Sequence, residues 1–116
     1  MDMQTGPASP TASFRAEVLR TADRLRGLSE GRLNAVGESG QSAADRAFEI
    51  AVEIVAVTQI ARGGPLHQLP RLAPYAVADQ LAVVGLELAD AAEEGAVVVG
   101  LLDALSADLL ALRRAT

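Results

Sequence analysis

Residues Tyr75 to Leu112 read YAVADQLAVVGLELADAAEEGAVVVGLLDALSADLLAL, an almost unbroken run of Ala, Val and Leu with acids spaced along it and no basic residue. How this stretch is read decides the fold. Asp79, Glu87, Asp90, Glu93, Glu94, Asp103 and Asp108 interrupt it, far too many charges for a membrane-spanning helix of about 20 apolar residues. Val97, Val98 and Val99 are β-branched, but no period-two alternation continues beyond them and no other segment supplies a partner strand, so the stretch is helical. Gly95 divides it into a third helix beginning near Tyr75 and a fourth running from about Ala96 to Arg113. The two are expected to form a helical hairpin, with a single kinked helix as the alternative because the turn is so short.

On a helical wheel the third helix places Asp79, Gln80, Glu87, Asp90, Glu93 and Glu94 on a wet side that also contains Val83 and Leu86. Val77, Leu81, Val84 and Leu88 lie opposite, with Gly85 at their flank. The fourth helix carries a bulky face of Val98, Leu101, Leu102, Leu105, Leu109 and Leu112, and nearly opposite it a face of small residues, Gly100, Ala104, Ala107 and Ala111. A helix that is apolar on two sides has either two neighbours within its domain or a partner outside it. Val83, Leu86, Gly100, Ala104, Ala107 and Ala111 are therefore the candidate interface residues. A homodimer about a twofold axis is the simplest assembly they would serve, with another protein as a further candidate partner.

Working back toward the N-terminus, His67, Arg71 and Tyr75 lie four residues apart in a proline-punctuated connection, residues 65–74, that leads into the third helix. They are candidate ligand residues, since a helix start presents free N–H groups to an anion. Pro70 and Pro74 work against helical convergence of the three, and Leu66, Leu69 and Leu72 suggest a segment pinned onto the bundle. Before it, a second helix should run from Ser42 to about Arg62. Ser42 with Asp45 forms an acidic variant of the capping box, and Gly63, Gly64 and Pro65 stop the helix. Asp45, Arg46, Glu49 and Glu53 form its wet side, with Phe48, Ala51, Ile54 and Val55 inside.

The first helix has Phe14, Val18, Ala22, Leu25 and Leu28 on one face, and Ser9 before Pro10 offers an N-cap with proline in the first turn. Ser29 can cap a short turn through Leu33. Gly37 to Ser42 reads as a loop. Residues 1–12 are taken as a flexible N-terminal tail and residues 13–116 as the bundle, giving an all-α, four-helix bundle-like single domain. A chain of 116 residues buries about two-thirds of its unfolded surface, enough for one core without staples.

Composition narrows the chemistry. There is no cysteine, hence no disulfide, thiolate nucleophile or Cys-based metal site, and all ten basic residues are arginine, which excludes lysine-dependent phosphate loops and Schiff bases. Gly37-Glu38-Ser39-Gly40-Gln41 fails as a nucleophile elbow because glutamine stands where the last glycine belongs. The net charge of −5 repels a phosphate backbone. Arg15, Arg20, Arg24, Arg26 and Arg32 form no recognition stripe: Arg20 and Arg24 point to one side of the first helix, Arg15 and Arg26 to another, with Glu17 and Asp23 between. No nucleic acid, membrane, cofactor or resident metal is expected. Residues 1–10 lack a secretory signal, so the expected location is the cytoplasm.

Asp45, Glu49 and Glu53 on one helix and Glu87-x-x-Asp90 with Glu93 and Glu94 on another could offer oxygens to a divalent cation. In this respect the chain resembles the all-α nucleotide pyrophosphohydrolases, which implies a magnesium-dependent hydrolase as the alternative function. It departs from them in lacking their paired-glutamate motif, any lysine and a base-stacking aromatic. The leading expectation is a non-enzymatic interaction or regulatory module that self-associates.

Overall fold

Each of the first three helices begins on a serine. In the computed structural model, which describes residues 9–64, 68–95, 97 and 99–116, α1 spans Pro10–Arg26, α2 Glu30–Asn34 and α3 Ala43–Arg62. The hydroxyl of Ser9 accepts from the Ala12 N–H at 3.0 Å, that of Ser29 from Arg32 at 3.2 Å, and that of Ser42 from Asp45 at 3.0 Å. Asp45 returns the favour by accepting the Ser42 N–H at 3.1 Å, completing the capping box. Gly63 closes α3 at φ 71°, in the left-handed region that glycine enters without a Cβ clash. A 3₁₀ turn over Pro74–Ala76 leads into α4, Val77–Glu93, and α5 follows at Val99–Ala115. Of the tail expected over residues 1–12, residues 1–8 lie outside the described residues, and Pro10 to Ala12 form the first turn of α1.

Cross-helix contacts give the directions. Arg15 reaches Asp90 and Glu93 while Arg26 reaches Asp79, so α1 and α4 are antiparallel. Glu17 meets Arg113 and Arg24 meets Thr116, so α1 and α5 are parallel. Arg62 approaches Glu94 at the far end of α3, which makes α3 parallel to α4. Both α4 and α5 pack on α1 and on α3, and they scarcely touch each other. The four long helices thus occupy the corners of a square in the sequence α1, α4, α3, α5, running up, down, down, up.

This arrangement corrects the hairpin expected from Tyr75 to Leu112. The residues between Glu93 and Val99 link diagonal corners, and the two helices that look like partners in sequence are separated by the core. It also explains the proline-rich connection. Parallel α3 and α4 require the chain to climb back along α3, about 30 Å for a helix of 20 residues. Arg71, well along that climb, is already beside Asp45 at the start of α3. Its guanidinium also lies over the Phe48 ring, 4.7 Å from the centroid.

Phe14 and the aliphatic Val18, Leu25, Ile54, Leu81, Leu88, Leu102, Leu109 and Leu112 are all essentially inaccessible and make up the core. Each contributes about 1.5–3 kcal/mol of transfer free energy. The inside faces expected for α1 and α4 are the ones buried. On α3, Ala51 and Ile54 are buried as expected, Phe48 and Val55 are half-buried, and Ala44, Ala47 and Ile50 complete the face. On α5, Leu102, Leu105, Leu109 and Leu112 are buried, but Leu101 is 47% exposed. It sits about 100° around the helix from Leu102, at the rim of the contact with the rest of the bundle. Val98 of that expected face lies outside the described residues. No strand occurs among the described residues, Val36 and Ser42 forming an isolated bridge. None of the described helices is long and apolar enough to cross a membrane.

Candidate functional site

The small residues of α5 face away from the core. Gly100, Ala104, Ala107 and Ala111 are all exposed. Where α5 runs beside α1, a shallow groove of about 340 Å³ is lined by Ala12, Ser13, Ala16, Glu17 and Arg20 of α1 and by Ser106, Ala107 and Leu110 of α5. The α1 half of this surface was not singled out from the sequence. Its signal was present in Ala12 and Ala16, spaced four apart, but the parallel pairing of α1 with α5 is what joins them to Ala107.

Val83 is 61% exposed and Leu86 half-buried. They lie on the outer side of α4, amid Asp79, Glu87 and Asp90. Because α4 and α5 occupy diagonal corners and each of these faces points away from the core, Val83 and the α5 alanines look in opposite directions. The structure therefore divides the expected interface set in two. The α5 set adjoins small residues of α1 and has exposed Asp103 and Asp108 at its edges, whereas Val83 lies directly between Asp79 and Glu87 along α4.

A third outward apolar line, on α3, was not recognised in the sequence. Ile60 is 78% exposed and Val52 is also exposed, with Ala56 between them. Their signal was an α3 apolar on nearly every side, which a two-sided division of the wheel into wet and buried faces obscured.

Of the candidate ligand residues, His67 lies outside the described residues. Arg71 is committed to Asp45 and Phe48, where it fastens the crossover connection to α3. Tyr75 is 74% exposed within the 3₁₀ turn. The structure thus gives Arg71 a structural partner of its own and leaves the Tyr75 ring on the surface.

The acidic residues are also distributed among partners. Arg71 holds Asp45 and Gln41 holds Glu49, while Arg26 holds Asp79 at 2.9 Å, Arg15 holds Glu93 at 2.7 Å and Arg62 approaches Glu94 at 3.5 Å. Among the described residues no group of three or more acids or imidazoles is close enough to hold a metal ion. A cleft of about 380 Å³ between α3 and α4 has Arg62 and Glu87 among its lining residues, with Val55, Leu69 and Val84 as apolar walls. The Thr58 hydroxyl in it donates to the Ile54 carbonyl at 2.9 Å, so its proton is engaged by the helix.

Among the described residues one carboxylate is buried. Glu17, 7% exposed, accepts from Arg113 Nε at 2.7 Å and Nη2 at 3.0 Å and from the Thr21 hydroxyl at 2.9 Å. The Arg113 hydrogen bonds hold its pKa below the usual value against the opposing effect of burial, and Thr21 adds to the lowering. The group ties α1 to α5 and is fully occupied in doing so.

No family profile, curated protein or solved structure matches this chain.

Proposed function

We propose that this protein is a non-enzymatic helical interaction module that self-associates through the outer face of α5 and the adjoining face of α1. The observation that carries the reading is the groove that has Ala12, Ala16 and Ala107 in its lining, with Ala104 and Ala111 exposed on the same face of α5. Side chains this small let a second helix approach closely without rearrangement, and alanine loses little entropy when covered. A second copy is the simplest occupant, because an isologous contact needs only one surface. The reading rests on the α5 side of the molecule, since Val83 and Leu86 face the other way and cannot join the same twofold contact.

The dimensions set the strength. A helix of 17 residues is about 26 Å long, and a face of that length with its neighbour falls at or below the roughly 800 Å² per partner of a standard interface. Association is therefore weak and concentration-dependent. Sedimentation equilibrium from micromolar to several hundred micromolar tests it. The expected average mass rises from 12.0 kDa toward twice that value, and Ala107→Glu holds the protein monomeric. A wild-type monomer across the whole range would remove the proposal.

A further inference from the structure

The small-residue groove between α1 and α5 leads toward a part of the molecule with the opposite charge to the whole. In a protein of net charge −5, Arg20 and Arg24 of α1 and Arg113 and Arg114 of α5 line one shallow depression of about 520 Å³, together with Asp23 and Thr116. Parallel packing of α1 on α5 brings about this gathering, because it places the last turns of both helices at the same end.

The acids nearby are already engaged. Glu17 is buried beneath Arg113, and Asp23 receives Arg26 at 3.0 Å. Arg24 donates to the Thr116 hydroxyl and carbonyl oxygen, and Arg32 of α2 donates to that same carbonyl at 2.8 Å. No ion pair or side-chain hydrogen bond holds Arg20 or Arg114 among the described residues, although Arg20 is near enough to Glu17 to help lower its pKa.

Basic residues in a last turn are commonly explained by the negative end of the helix dipole. Here the magnitudes exceed that need. Two helix ends contribute about half a negative charge each, Glu17 neutralises Arg113, and Asp23 shares Arg26 with Asp79, so Arg20, Arg24 and Arg114 stand against roughly two units of negative charge. Guanidiniums present planar forks of N–H donors that match the paired oxygens of phosphate better than a single spherical chloride ion. The convergence of Arg24 and Arg32 on one Thr116 oxygen already has the form of two forks around a single acceptor.

We propose that this depression binds a multiply charged phosphate-type oxyanion, with Arg20 and Arg114 supplying the free donors and Arg24 the third. Arg20 also borders the groove between α1 and α5, whereas Arg114 lines this depression and not that groove, so the response of Arg114 separates anion binding from self-association. The acidic outer surfaces of α3 and α4, with Glu49, Glu53 and Glu87 exposed, disfavour a long nucleic acid as the occupant and favour a small anion that touches only this end.

The test is an NMR titration of the whole chain with sodium pyrophosphate, following the arginine side-chain N–H resonances, against sodium chloride at matched ionic strength. Saturable shifts of Arg20 and Arg114 with pyrophosphate alone are expected, and Arg20→Ala or Arg114→Ala should each weaken binding about tenfold. Arg62→Ala, which removes one equal charge elsewhere, should leave binding within about twofold. Arg20 and Arg114 are both exposed, and circular dichroism of each variant checks that it folds. Equal responses to chloride, equal weakening by Arg62→Ala, or tighter binding of a short DNA duplex than of pyrophosphate would each overturn the proposal.

Discussion

Val18 of α1 lies against Gly85 of α4 so closely that a Cβ built on Gly85 would fall 2.6 Å from Val18 Cγ1 and 2.7 Å from Cγ2. Glycine within a helix ordinarily costs about 1 kcal/mol relative to alanine. Here it sets the distance between two helices, and Val18, fully buried and stiff at χ1, has nowhere to move. Gly85→Ala should therefore destabilise the protein by about 1–2 kcal/mol, overpacking outweighing the gain in propensity. In a Val18→Ala background the same change should become neutral or stabilising. Urea unfolding of the four-protein cycle gives the coupling, and additive effects would show that the helices do not meet at these residues.

Acid should act through Glu17. Its folded pKa is depressed below the ordinary 4.5, chiefly by the Arg113 hydrogen bonds. The stability this contributes is thus fully present above pH 4.5 and is lost as pH falls through the lower folded value. Asp45, lowered chiefly by Arg71 and then by Ser42, acts in the same direction. Glu17→Gln should cost about 1–2 kcal/mol at neutral pH and flatten the acid limb of the stability curve. Chemical denaturation at pH 7, 5, 4 and 3 reads both, and an unchanged slope in the variant would show that other carboxylates govern it.

Removal of one atom group tests the start of α3. Ser42→Ala deletes the acceptor for the Asp45 N–H and should cost about 1 kcal/mol. Arg71→Ala should cost less, under about 1 kcal/mol, because its ion pair is solvent-exposed. Its larger effect should be on the crossover connection, where hydrogen exchange should accelerate in the segment around Leu72 while α3 remains protected. Uniform acceleration throughout the bundle would mean that the anchor is part of the global fold.

Much of this architecture is legible in the residues. Ser9, Ser29, the Ser42–Asp45 box and Gly63 mark helix ends because capping is local chemistry that needs no tertiary partner. The inside of α4 follows from Val77, Leu81, Val84 and Leu88 because one side of that helix is densely charged. Even the division of Arg15 and Arg26 from Arg20 and Arg24 is visible on the wheel. What the wheel does not contain is the neighbour on each side. The first pair meets the α4 carboxylates and the second meets the end of α5, and only the up, down, down, up order of the helices determines this.

The same limit produced the hairpin expectation. A short link between Glu93 and Val99 implies neighbours, yet a few residues suffice to cross the diagonal of a bundle. Leu101 belongs to the bulky face that the wheel predicts for α5, yet about 100° of rotation separates it from Leu102 and it is 47% exposed. Within the candidate interface, the alanines of α5 were readable as a face. Their continuation into Ala12 and Ala16, and their separation from Val83, depended on which corner each helix occupies.

Self-association through α5 is tested most directly by covalent capture. The chain contains no cysteine, so a single cysteine introduced at an exposed position reports on that position alone. Under mild oxidation at concentrations where the wild type sediments as a dimer, Ala107→Cys should form a disulfide-linked dimer several times faster than Val83→Cys, which faces the opposite side. Capture at equal rates, or faster capture at Val83→Cys, would contradict the account.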